Sequence, residues 1–173
     1  MRIFIAVEIP EKIKTILKDL QKQLNDGNAK VKWVNDFHLT LKFLGEISEV
    51  KLERVKERLK GITFKDFEAE FTNLGVFPSN NYINIVWIGL KPEKKIKSLQ
   101  LRIDNALRDL FTSDNKFKAH ITIGRVKIIN DKKIFLEKLN NIIMEEGFTI
   151  KNFKLIKSTL KTTGPEYETL EVY

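Results

Sequence analysis

Apolar residues follow two rhythms along this chain, alternate positions and three-or-four spacing, and the switches between them mark out its elements. Ile3-Phe4-Ile5-Ala6-Val7 is a short apolar run that reads as a buried strand. Pro10 then opens a helix with Ile13, Ile16, Leu17, Leu20 and Leu24 on one side, stopped by Asp26-Gly27-Asn28. Lys30 to Val34 reads as a short strand and Asn35-Asp36 as a turn, before a longer strand over 37–44 that Gly45 ends. Ser48 caps a second helix carrying Val50, Leu52, Val55 and Leu59, closed by Gly61.

The second half repeats the plan. Phe64, Phe67, Ala69, Phe71 and Leu74 suggest an extended segment, with Gly75 to Asn81 as a loop. Tyr82 to Leu90 is a strong strand, and Pro92 starts the third and longest helix through Ile96, Leu99, Ile103, Leu107 and Leu110. A strand over 118–126, a fourth helix near 132–145 and two or three strands between Phe148 and Tyr173, broken at Gly164-Pro165, complete the chain. Each half therefore runs strand, proline-initiated helix, strand, helix over about 80 residues, the size of a lobe rather than a solenoid unit. The expected architecture is α+β: a bilobal, pseudo-two-fold duplication, with two antiparallel sheets lining a central cleft and helices outside. Nothing resembles a linker, so residues 1–173 are read as a single domain of two lobes.

Composition adds limits. Hydrophobic content of 42% and charged content of 31% belong to a folded chain, and no apolar run approaches a membrane span. Without cysteine there is no disulfide, thiolate site or cysteine nucleophile. Met1-Arg2 leads straight into the first strand, so no signal peptide is expected, and the expected location is cytoplasmic. The net charge of +8 suits an anionic partner, although a Lys/Glu-rich surface also serves solubility alone.

Charge becomes informative beside the histidines. The chain has only two, His38 in Phe37-His38-Leu39-Thr40-Leu41-Lys42-Phe43-Leu44 and His120 in Ala119-His120-Ile121-Thr122-Ile123-Gly124-Arg125. Each is followed by an aliphatic residue, threonine and another aliphatic, although threonine fills only 11 of 173 positions. Phe4 precedes His38 by 34 residues and Ile85 precedes His120 by 35, so the motifs sit at matched places in the two halves.

On a strand, alternate side chains share a face, which sets His38, Thr40 and Lys42 against Leu39, Leu41 and Phe43. A histidine and a threonine about 6.6–6.8 Å apart can address one phosphate, the hydroxyl binding an oxygen while the imidazole moves a proton. Two such modules supply both acid and base, because imidazole titrates near neutrality. Arg125 or Lys42 could neutralise developing charge. Strict alternation points Arg125 away from His120, so it reaches the site only through a bulge at Gly124 or a strand end there. Zinc would need carboxylates to complete its ligands, and the nearest, Asp36 and Glu46, lie at the wrong spacing; neither metal nor cofactor is expected. Trp33, Trp87 and Phe43 could stack bases, but aromatics in such apolar contexts more often fill a core.

At these residues the chain resembles the 2H phosphoesterase superfamily, named for two His-x-Thr/Ser-x motifs, and within it the RNA 2′,3′-cyclic phosphodiesterases once described as 2′-5′ RNA ligases. The likeness includes Arg2-Ile3-Phe4-Ile5-Ala6-Val7, the Lys42-Phe43-Leu44-Gly45-Glu46 extension, Ser158-Thr159-Leu160 and Gly164-Pro165-Glu166-Tyr167, with Gly124 where relatives often carry alanine. It implies a cleft between pseudo-symmetric lobes and metal-independent hydrolysis of a terminal 2′,3′-cyclic phosphate on RNA to a 2′-phosphate. It also implies His38 as proton donor, His120 as proton acceptor, and Thr40 and Thr122 on the phosphate; Arg125, from the reading of the residues alone, is a further candidate phosphate contact. RNA ends, tRNA fragments among them, are the expected partner, and the protein is expected to be a monomer. Two alternatives stay open: a 2′-5′ RNA ligase running the chemistry backward, and an RNA-end binding module without catalysis.

Overall fold

The computed structural model describes Met1–Tyr173. Strand β1 (Arg2–Glu8) has its five central residues buried because both of its faces are covered. Ile3, Ile5 and Val7 join the main core, while Phe4 and Ala6 form a small cluster with Ile156 on the other side. Helix α1 (Glu11–Leu24) follows Pro10, whose missing N–H would have had no helical partner anyway, and stops at Asn25 before Gly27 turns the chain at φ 89°. Strands β2 (Ala29–Trp33) and β3 (His38–Glu46) come next, then helix α2 (Glu49–Leu59), where the Ser48 hydroxyl accepts from the Lys51 amide.

The second half holds β4 (Phe67–Pro78), β5 (Ile83–Lys91), α3 (Glu93–Ala106), β6 (His120–Ile129) and α4 (Lys132–Asn141). Three strands close the chain, β7 (Gly147–Ile150), β8 (Lys154–Lys161) and β9 (Gly164–Val172). Several boundaries differ from expectation: β3 runs through Gly45 to Glu46 rather than ending there, and β6 continues past 126 to Ile129. Residues Gly75 to Pro78 belong to β4 rather than to a loop; Gly75 pairs with Trp87, and the indole covers the space that a Cβ at Gly75 would fill. Helix α3 stops at Ala106 and, at 14 residues, only equals α1. Leu107 beyond it is still fully buried, so the apolar rhythm outlasts the helix. Helix α4 ends at Asn141, short of 145.

All strands pair antiparallel in one sheet ordered β7-β4-β5-β6-β3-β1-β8-β9, with β2 added alongside β6. The expected two sheets are thus two strand groups joined by a single rung, Leu39 opposite Ile121, between the two histidine strands. In each group the histidine strand lies beside the strand that leads into its half's proline-initiated helix, β1 beside β3 and β5 beside β6. Strands β8 and β9, from the end of the chain, complete the first group.

The helices reach across the groups: α1 packs against β6, and α3 against β3 as well as against β5 of its own half. They seal a core of 38 buried residues that includes Leu39, Leu41, Ile121 and Ile123. His38, Thr40, His120 and Thr122 alternate with those residues and are left half-buried on the opposite face.

Candidate functional site

Both histidine strands carry a bulge one residue after the threonine. In β3, Thr40 pairs with Ala6 and Lys42 with Ile5, which leaves Leu41 as an extra residue. The alternation inverts at that point. Lys42 turns into the core, 5% exposed, and Phe43 turns out beside Phe4, 72% exposed. The expectation that Lys42 shares the His38 face is therefore corrected. Its ammonium pairs with Asp104 of α3 and donates to the Thr112 carbonyl at 2.8 Å, so it is not available to a ligand in the cleft.

In β6, Thr122 pairs with Trp87 and Gly124 with Val86, leaving Ile123 as the extra residue. Gly124 drops to the buried face, where a Cβ would overlap Val31 and Trp33. Arg125 comes up on the face of His120 and Thr122, the outcome that required a bulge at Gly124. A buried glutamine fixes this kink: the Gln21 amide of α1 donates to the Ile123 carbonyl at 3.0 Å and to the Val34 carbonyl at 2.9 Å. Phe43 and Arg125 occupy matched positions, five residues after their histidines.

The Leu39–Ile121 rung sets His38 across from Thr122 and Thr40 across from His120, so the four side chains form a crossed set on one face. His38 is held edge-on by Phe4 and Tyr167, with ring centroids 5.5 and 4.9 Å away. Its Nε2 lies 3.5 Å from Asp36 Oδ2, while Asp36 Oδ1 pairs with Lys14 at 2.8 Å and accepts from the Phe37 amide at 2.9 Å. His120 packs edge-on against Phe77 at 5.0 Å and near Trp87 at 6.2 Å. Its Nδ1 sits 2.7 Å from the Lys118 carbonyl. A carbonyl only accepts, so Nδ1 carries the proton and neutral His120 keeps its lone pair on Nε2.

Burial pulls both imidazoles below the ordinary histidine value. For His38 the carboxylates of Asp36 and Glu8 pull the other way, against Lys14 and Lys154. His120 has no acidic neighbour; its bond to the Lys118 carbonyl opposes the burial effect, and the Lys118 ammonium adds a smaller push in the same direction as burial. The two rings thus sit in different surroundings: His38 beside the Asp36 carboxylate, His120 with Nδ1 bonded to a carbonyl. Burial likewise raises the Tyr167 phenol, assisted by Asp36 and opposed by Arg125 and Arg2. Arg125 therefore acts electrostatically on the Tyr167 phenol, whose ring packs edge-on against His38.

Phe4, Tyr167, Phe77, Asp36 and Lys118 surround the histidines without having been singled out for that role. Tyr167 gives no local signal, since only the pairing of β8 with β9 brings it opposite Ser158 and over β1. Of the three aromatics considered for stacking, Trp87 is 5% exposed and lies on Gly75, Trp33 covers Gly124, and only Phe43 is free.

Comparison with known proteins shows the family and the fold. Residues 7–87 match the family described as LigT like Phosphoesterase. A protein of Archaeoglobus fulgidus named RNA 2′,3′-cyclic phosphodiesterase is 36% identical over 176 residues, covering 100% of this chain and 99% of the relative. One of Methanocaldococcus jannaschii with the same name is 35% identical, covering 99% of each chain. The crystal structure of TT0787 of Thermus thermophilus superposes with a TM-score of 0.85 at 25% identity, over 100% of this chain and 97% of that one. The chain belongs to the LigT-like phosphoesterases, a family of the 2H superfamily that its duplicated motif resembles.

Proposed function

We propose that the protein hydrolyses a terminal 2′,3′-cyclic phosphate on RNA to a 2′-phosphate without a metal ion. The observation that carries the roles is the bond from His120 Nδ1 to the Lys118 carbonyl, which leaves Nε2 as the basic nitrogen. His120 Nε2 takes a proton from water, and the water oxygen bonds to phosphorus. The bond from phosphorus to the 3′ oxygen breaks, and protonated His38 gives that oxygen its proton, leaving a 3′ hydroxyl. Asp36, 3.5 Å from His38, favours the imidazolium that this step consumes.

Thr40 and Thr122 donate to the non-bridging oxygens, and Arg125 adds a cation where charge develops. The donor set supports the metal-independent reading: two imidazoles and one carboxylate already bound to Lys14 make a poor cation cage. The names carried by relatives at 35% and 36% identity support the choice of substrate. RNA bearing a 2′,3′-cyclic phosphate should be converted, in chelator, to an end carrying phosphate on the 2′ oxygen alone. An untouched cyclic end, or a 3′-phosphate product, would contradict the proposal.

A further inference from the structure

The face that carries His120 and Thr122 continues past Arg125 onto a two-stranded ribbon of β2 and β6. Across that ribbon Lys32 stands opposite Arg125 and Lys30 opposite Ile128, and the register shift between them makes Lys127 the extra residue. Ala29, Val31 and Trp33 pair with Ile129, Val126 and Gly124 and turn to the opposite, better-buried face. Lys30, Lys32, Arg125 and Lys127 are all exposed, on the face that His120 and Thr122 share, and none is in an ion pair, although many lysines elsewhere are. No aspartate or glutamate lies within 27–35 or 120–130. The flanking carboxylates are engaged elsewhere, Asp26 with Lys138 at 2.6 Å and Asp131 at the start of α4.

A row of unpaired cations thus leads from Arg125 roughly 10 Å along the ribbon, three residues at the strand rise. A solvating surface has no reason to leave one stripe free of acids, whereas a polyanion backbone requires it. Direction follows from chemistry. A reacting phosphate at an RNA 3′ terminus has chain on its 5′ side only, so a track leading away from that phosphate can hold only 5′-side phosphates.

Resting on the function proposed above, we propose that Lys30, Lys32 and Lys127, headed by Arg125, bind the RNA backbone 5′ of the reacting end. The protein is then a reader of RNA chains rather than of cyclic mononucleotides. The test compares wild type with the triple variant K30Q/K32Q/K127Q on two substrates, a short oligoribonucleotide ending in a 2′,3′-cyclic phosphate and uridine 2′,3′-cyclic phosphate. For the oligonucleotide the variant should show a KM raised roughly ten-fold and a salt slope of kcat/KM flatter by about 2, at about 0.7 per lost contact with a single strand. Its constants on the mononucleotide should match wild type.

Unchanged oligonucleotide KM and slope, or equal loss on both substrates, would overturn the track. Anisotropy of a labelled oligoribonucleotide ending in a 2′-phosphate reads the same slope without turnover. Inactivity of wild type on both substrates would sink the proposed reaction, while the slope difference in binding would still decide the track.

Discussion

At the scale of single residues the site works through inequality. The proposed reaction needs neutral His120 as base and charged His38 as acid, yet burial lowers both below the ordinary 6.5. Because kcat/KM reports the free enzyme, its pH profile should be a bell with a maximum on the acid side of 6.5. A maximum above about 7 would contradict the assignment. Asp36→Asn removes a carboxylate that opposes the burial effect on His38. The acid must stay protonated, so the alkaline limb should move to lower pH while the acid limb, set by His120, stays in place. A profile identical to wild type would show that Asp36 does not act on His38. Arg125→Ala should lower kcat by about 10²–10³, the usual cost of one donor to developing charge. Arg125→Lys should recover little, because an ammonium cannot present two parallel N–H groups.

At the scale of elements the bulges decide which side chains reach the cleft. Alternation made the placement of His38, Thr40, His120 and Thr122 legible in the sequence, but it put Lys42 in the cleft and Phe43 in the core. Nothing in Leu41-Lys42-Phe43 marks an extra residue; the inversion exists only because Lys42 pairs with Ile5 across the sheet and Asp104 waits beneath it. Gly124 was a usable hint, since a glycine within a strand often marks a bulge or a close approach, and both occur there.

The Lys42–Asp104 pair is testable by stability. Both side chains are about 5% exposed or less, and Lys42→Met leaves a buried carboxylate unpaired. The expected loss is about 3–5 kcal/mol in denaturant unfolding at neutral pH, with the double variant K42M/D104L close to wild type. Burial pushes the Asp104 carboxyl up, but Lys42, joined by hydrogen bonds from Ser113 and the Asp114 amide, holds the group below the ordinary carboxylate value. A depressed carboxyl stabilises the fold above its unfolded value near ~3.9 and loses that effect as pH falls through the folded value. The gap between wild type and K42M should therefore close in acid, and a gap that widened there would contradict the pairing.

At the scale of the whole molecule, the internal duplication was legible because two rare histidines sat at matched positions in matched halves. The joining of the halves was not. The single Leu39–Ile121 rung, the crossing of α1 and α3, and the addition of β8 and β9 to the first group depend on contacts between distant segments with no shared motif. The crossing has a consequence for folding: a helix from each half packs on a strand of the other, α1 on β6 and α3 on β3, which ties the two groups into one cooperative unit. Unfolding followed by circular dichroism and by the fluorescence of Trp33 and Trp87 should give one coincident transition, and two separated ones would contradict it.

That two histidines, one from each half, act on one phosphate is open to direct test. The measurement is turnover of RNA ending in a 2′,3′-cyclic phosphate by wild type, His38→Ala and His120→Ala, side by side in chelator. Wild type should keep full activity, and each variant should lose about 10²–10⁴ in rate. Wild-type activity abolished by the chelator, or either variant turning over at the wild-type rate, would contradict the paired-histidine mechanism.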